Sequence, residues 1–344
     1  IFMRDLRLLL MSALILLAGS LFPLSGCQAK EQSPEKPTAV EPAKRGEPAS
    51  GVIFPRAVID DSGIMLTIPS RPERIISLTM FSDDILLELV EKKRLLGVTA
   101  FAGDRNISNI AERVADIDNK LTLNVEIILA LQPDIVFVAD WSDADKVKQL
   151  KDAGITVFLL ASPVSIDEIR KKISVIAGAV GEEEKGKELI GRMDEDLKQV
   201  AARVSGIPKE ERLTVLEYAI WGTSPGEGTT WNELTAHAGL INAVSYLPVN
   251  EFRQVPLSKE KLLELDPDIL ILPGWVYGDP EGAESFFNEI LEDPALRTLR
   301  AVRSKRVYRM PENLKSSTSH YLAAGIQWLA RTAYPDLFSQ NSEE

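Results

Sequence analysis

The chain has 344 residues, 45% hydrophobic and 26% charged, with a formal net charge of -12 and one cysteine. That length suits roughly two domains of about 100 to 200 residues each, and the ordinary composition excludes wholesale disorder and a many-spanning membrane protein. The acidic balance excludes nucleic acid, which takes a basic footprint to displace its counterions, and a lone cysteine excludes a disulfide framework.

At the N-terminus, Arg4 and Arg7 precede an apolar run from Leu8 to Leu24, a positive n-region with an h-region behind it. The run ends in Leu24-Ser25-Gly26-Cys27, which resembles the lipobox of bacterial lipoproteins. That resemblance makes 1–27 a signal peptide and Cys27 the lipidated first residue of the mature chain; an uncleaved anchor is the other reading. Residues 28–55, rich in Pro, Glu, Lys and Ala without apolar periodicity, read as a flexible tether. Acyl chains at about 0.8 kcal/mol per buried CH2 would hold the folded part on the outer face of the cell membrane, or on the periplasmic side of a membrane.

From residue 56 the pattern predicts an α/β fold. AVIDDSGIMLTIP reads as a hairpin with an Asp-Ser-Gly turn. RIISL is a short buried strand, 83–92 a helix and LLGVT a second strand; helix 125–131, strand IVFVA, helix 143–153 and strand ITVFLL follow. Strands alternating with helices give a parallel sheet covered on its faces, here over 56–181. Ser165-Ile166-Asp167-Glu168 is a capping box opening the last helix of this lobe. Residues 182–204 form a long amphipathic helix with Leu189, Ile190, Met193, Leu197, Val200, Ala201 and Val204 on one stripe. At 1.5 Å per residue it is a rod of roughly 35 Å, long enough to cross two lobes and a poor hinge. Over 205–338 the alternation restarts with LTVLEY and ends in a helix over 319–333.

The two halves carry a common sentence, LNVEIILALQPDIVFVADW from Leu123 and LSKEKLLELDPDILILPGW from Leu257. Each copy runs down a short helix, turns at Pro-Asp and returns along a strand, so the helix N-terminus and the strand C-terminus share one edge. Open parallel sheets bind ligands at that edge. Glu126 and Glu260 stand in the first helical turns, where the helix dipole alone could account for them. Their matched placement on both lobes makes them candidates to receive two basic groups of a symmetric partner.

Pro72-Glu73-Arg74-Ile75-Ile76-Ser77-Leu78 and both copies of the repeat are similar to the substrate-binding proteins of ABC importers for iron-siderophore, haem and cobalamin, over about residues 56–338. The resemblance implies two Rossmann-like lobes joined by a single long helix, a shallow cleft, no resident cofactor, and a monomer docking on a dimeric permease with its ATPase subunits. It also implies that Glu126 and Glu260 bridge to permease arginines.

Loops after strands nominate the cleft residues: Met80, Phe81, Phe101, Trp141, Trp221, Phe252, Arg253, Trp275, Tyr277 and Lys315. Tyr218 and Trp231 are aromatics more readily assigned to the core. An aromatic wall suits a large, flat, partly apolar ligand. With only His237 and His320, the chain is poorly equipped for a free zinc or manganese ion. Catecholate siderophores would call for cations, for which Arg105, Arg253 and Lys315 are the candidates. A modestly charged metal chelate is expected: an iron-siderophore first, with a corrinoid such as cobalamin or a haem as alternatives. An exported chelatase-like enzyme is the reading from another class. Its carboxylate pairs Asp83-Asp84 and Asp116/Asp118 lack a nucleophile or histidine at catalytic spacing, and Asp83 and Asp84 read as helix-dipole partners.

Overall fold

In the computed structural model, which describes residues 53–339, the chain opens with the antiparallel pair β1 (Arg56–Ile59) and β2 (Met65–Ile68). Asp60 builds the turn: its Oδ1 accepts from the amides of Ser62 at 3.0 Å and Ile64 at 3.1 Å. The expected signal peptide, Cys27 and nearly all of the expected tether lie outside the described residues.

The first lobe comprises β3 (Ile75–Ser77), α1 (Met80–Leu89), β4 (Leu95–Thr99), β5 (Lys120–Leu121), α2 (Val125–Ala130), β6 (Ile135–Ala139), α3 (Ala144–Asp152), β7 (Thr156–Leu160) and α4 (Ile166–Val180). Its sheet has the order β5-β4-β3-β6-β7, and every neighbouring pair is parallel. All five residues of β6 are buried, as a central parallel strand covered on both faces requires. Helix α1 starts earlier than its sequence suggests, because Thr79 is the N-cap and accepts from the Ser82 amide at 3.1 Å. Asp83 consequently closes the first turn instead of opening the helix, Asp84 lies past it, and both are buried, which corrects their reading as dipole partners at the helix start.

Helix α5 (Glu183–Val204) follows, and the second lobe comprises β8 (Thr214–Glu217), β9 (Thr223–Pro225), α6 (Thr230–His237), β10 (Ile241–Asn242), β11 (Gln254–Pro256), α7 (Lys259–Leu265), β12 (Ile269–Leu272), α8 (Gly282–Glu292), α9 (Arg300–Arg303), β13 (Val307–Arg309), α10 (Glu312–Lys315) and α11 (Leu322–Ala333). Its sheet, β10-β8-β12-β13, is again wholly parallel. Strands β9 and β11 pair antiparallel as a separate arm that the sequence pattern did not announce.

The repeated Pro-Asp has a specific task. In the first copy Asp134 Oδ2 accepts from the amides of Glu73 and Arg74 at 2.8 and 2.9 Å, just before β3. In the second, Asp268 Oδ2 accepts from the Thr214 amide at 2.8 Å, at the start of β8. One aspartate in each lobe thus satisfies the N-terminal amides of the neighbouring strand and fixes its register.

Helix α5 buries Leu189, Met193, Leu197, Val200 and Val204 in a single apolar cluster with Ile173 and Ile176 of α4, Leu234 of α6 and Ile326 and Leu329 of α11. The core is therefore continuous along the rod, which opposes wide opening of the cleft. Gly186 allows the α4–α5 approach, since a Cβ there would lie 2.6 Å from that of Ala177. At the start of the rod, buried Arg94 reaches Glu182 Oε1 at 2.6 Å and the carbonyls of Pro72 and Val180, tying the helix to the first lobe.

Candidate functional site

The C-terminal edges of the two sheets face a common cleft holding two adjoining cavities. The first, about 300 Å³, takes Met80, Phe81 and Asp84 from α1 and Phe101, Ile107 and Asn109 from the loop after β4. The second lobe contributes Trp275, Tyr277, Glu312, Asn313 and the Ser316–Thr318 segment to the same cavity. Tyr277 lies between aromatic neighbours, with ring centroids 6.3 Å from Phe101 and 5.9 Å from Trp275, both close to edge-to-face. The first of these contacts spans the lobes, so the aromatic wall is a joint product of both. The lobes are also bonded at this point: Asn109 Nδ2 donates to the Asn313 carbonyl at 2.9 Å, and Asn313 Nδ2 to Asn109 Oδ1 at 3.0 Å.

Asp84 forms an acidic floor. Its Oδ2 accepts from the Ser319 hydroxyl at 2.7 Å, while its buried Oδ1 has no partner among the described residues. Burial pushes its pKa up to about 7 against the opposing pull of Ser319 and Arg113. Asp83, whose Oδ2 accepts from the Thr99 amide at 3.1 Å, is likewise raised well above the ordinary range by burial.

The second cavity, about 420 Å³, shares Glu312, Ser316 and Thr318 with the first and is more polar. Phe252, Arg253 and Lys315 line it together with Glu217 and the N-terminus of α6. Lys315 is not a free cation: its Nζ lies 2.7 Å from Glu217 Oε1 and 3.2 Å from Glu312 Oε2. Burial works against the lysine charge, but the two carboxylates outweigh it and hold its pKa above the usual lysine value. Arg105 pairs with Glu112 and lines neither cavity. Arg253 is exposed, has a left-handed backbone at φ 58° and lies over Gly228.

Eight of the ten nominated residues therefore line the cleft cavities, although Phe81 does so while only 3% exposed. Trp141 and Trp221, 78% and 80% exposed, line neither cavity. Both follow cleft-edge strands, β6 and β8, so they stand on the rim rather than in the walls. Tyr218 and Trp231 are buried, and Trp231 also touches the second cavity. His320 is half-buried against Tyr321 and lines neither cavity, while His237 is exposed at the end of α6. Sequence reasoning missed Asp84, Ile107, Asn109, Glu312 and Ser316–Thr318 as wall residues. A short polar run before the last helix was the available signal for the Ser-rich segment.

Glu126 and Glu260 are both exposed in the first turns of α2 and α7, capped by Asn124 and Ser258. Neither forms an ion pair among the described residues, even though Lys259 and Lys261 flank Glu260; those lysines pair with Asp293 and Glu264. The Ser258 hydroxyl holds the Glu260 carboxyl below its ordinary pKa.

The family model described as "Periplasmic binding protein" matches residues 75–314. A Bacillus subtilis protein, the uncharacterized ABC transporter substrate-binding lipoprotein YvrC, is 29% identical over 296 residues, covering 84% of this chain and 88% of that one. A cobalamin-binding protein of Halobacterium salinarum is 26% identical over 234 residues, covering 67% of this chain and 62% of that one. The solved structure of molybdate-bound MolA, from Haemophilus influenzae, superposes with a TM-score of 0.70 at 22% identity, covering 83% of this chain and 94% of MolA. These relatives bind solutes rather than catalyse reactions, and the bilobal architecture is theirs. This chain belongs to the periplasmic binding protein family, as an extracytoplasmic substrate-binding protein of an ABC transporter.

Proposed function

We propose that this protein captures a bulky metal chelate of no net negative charge in the interlobe cleft and delivers it to its permease, and that a corrinoid fits best. The observation that carries this reading is the first cavity: Met80, Phe81, Phe101, Ile107, Trp275 and Tyr277 surround a floor whose charged groups, Asp84 and Glu312, are both carboxylates. Stacking and apolar contact favour a large ring system, whereas a small dianion such as molybdate would find no cation in this lining, where Asp84 is about half protonated at neutral pH and Glu312 already pairs with Lys315. The halophilic cobalamin-binding relative supports the corrinoid choice. A ferric siderophore is the second reading, favoured by the second cavity, where exposed Arg253 and the hydroxyls of Thr230, Ser316 and Thr318 could meet an acidic arm.

In the same proposal, acyl chains on Cys27 anchor the protein outside the cytoplasm, and Glu126 and Glu260 receive the permease cations. Isothermal titration of the mature chain with cyanocobalamin, a ferric hydroxamate siderophore, haemin and molybdate tests the ligand assignment. Saturable cyanocobalamin binding with no molybdate heat is the expected result. Tight molybdate binding with none of the chelates would overturn it.

A further inference from the structure

Outside the cleft, the second lobe has a cavity of about 340 Å³ beside the edge strand β10, between α6 and the segment that follows α5. It shares no lining residue with either cleft cavity. Its polar lining is Lys209, Arg212, Asn232, Thr235, Asn242 and Ser245, without a carboxylate, in a chain whose net charge is -12.

Thr235 and Asn242 spend their donors within the fold, but those of the other four polar residues are unspent. Among the described residues, neither Lys209 nor Arg212 forms an ion pair or a side-chain hydrogen bond, and Arg212 Nε is buried with no acceptor. Asn232 Oδ1 accepts from Asn242 Nδ2 at 3.3 Å, which orients that amide and leaves Asn232 Nδ2 without an acceptor. The Ser245 hydroxyl donates to nothing among the described residues either. A buried guanidinium N–H without an acceptor is costly and calls for a partner. Four donor side chains around one space, two of them cationic, match an anion with several acceptor oxygens better than a neutral solute or a single carboxylate.

We infer that this cavity binds a tetrahedral oxyanion of the phosphate class, with Arg212 as its principal anchor and Lys209, Asn232 and Ser245 supplying further donors. Free inorganic phosphate and an anionic phospholipid headgroup share this chemistry, and the test separates them.

The chain from residue 27 onward, carrying Cys27→Ala so that neither an acyl anchor nor the apolar run 8–24 contributes, is titrated calorimetrically with sodium phosphate at ionic strength fixed with chloride. In parallel it is sedimented with phosphatidylglycerol vesicles and with phosphatidylcholine vesicles. Saturable phosphate binding, weakened at least tenfold by Arg212→Gln, less by Arg212→Lys and severalfold by Lys209→Gln, is the expected result. Arg212-dependent sedimentation with phosphatidylglycerol alone assigns the site to a headgroup. Phosphate binding without sedimentation assigns it to the free anion, and both together assign it to a phosphate shared by the two. Because the Arg212 side chain bonds to nothing among the described residues, the circular dichroism spectra of its variants should match that of the parent. Absence of both kinds of binding, or binding indifferent to Arg212→Gln, overturns the inference.

Discussion

Replacing Asp84 with asparagine should change how stability depends on pH. The folded-state pKa of Asp84 is about 7 against an ordinary 3.8, so over that window the folded chain holds a proton that the unfolded chain has released. Its contribution is complete below pH 3.8 and is lost as pH rises through 7, at about 1.4 kcal/mol per pH unit. Roughly three units give about 4 kcal/mol, taken without discount for solvent because the group is fully buried. His320 opposes it: burial pushes that imidazole from 6.5 down to about 4, so stability should rise with pH across that interval. Asp83, which burial also raises well above the ordinary range, adds to the fall from Asp84.

Asp84→Asn removes the Asp84 slope alone and leaves those of Asp83 and His320. The variant should therefore gain on the parent steadily from about pH 4 to 7, reaching about 8 °C in Tm at roughly 2 °C per kcal/mol for a chain of this size. His320→Gln should do the reverse and leave a stability that falls with rising pH. Thermal unfolding followed by circular dichroism between pH 4 and 8 reads both effects. A Tm difference between Asp84→Asn and parent that is constant across this range would refute the reasoning.

Reversing Glu126 and Glu260 to arginine should leave chelate affinity within about 0.5 kcal/mol of the parent, the range for exposed positions away from a site, while abolishing permease-dependent uptake. Weakened chelate binding by the purified double variant would count against a docking role. Arg94→Ala should cost about 3 kcal/mol, the low end for breaking a buried ion pair, because Arg71 and Lys185 still neutralise Glu182 while the Pro72 and Val180 carbonyls lose their donor. Urea unfolding measures it, and a loss under 1 kcal/mol would show that the α5 junction is held by packing alone.

The architecture was legible where a period or a cap persists over several residues. The stripe on α5, the Ser165 cap and the twin helix-turn-strand sentences each use one physical device repeatedly, and the structure places them as read except that on α5 Ala201 is exposed and Ile190 only half-buried. Two-residue strands such as β5 and β10 carry no period and were missed, as was the β9–β11 arm, whose Pro225 and Pro256 disguise it. The start of α1 was misread because Thr79 caps it ahead of the more conspicuous aspartates. That displacement hid Asp84, whose importance comes from tertiary burial against Ser319, 235 residues away. Aromatic content nominated residues that line the cavities, but it could not separate Trp275 in a wall from Trp141 and Trp221 on the rim. That distinction depends on which loops turn inward.

The central claim, that the cavity between the lobes holds the ligand, is tested most directly by intrinsic tryptophan fluorescence. Adding cyanocobalamin to the mature chain should quench emission saturably. Trp275→Phe should remove most of that signal and weaken binding by about 1–3 kcal/mol, as for an interface anchor, whereas Trp141→Phe should change affinity little. Unaltered affinity and quenching in Trp275→Phe, with both lost in Trp141→Phe, would contradict the account and move the ligand from the cavity to the rim.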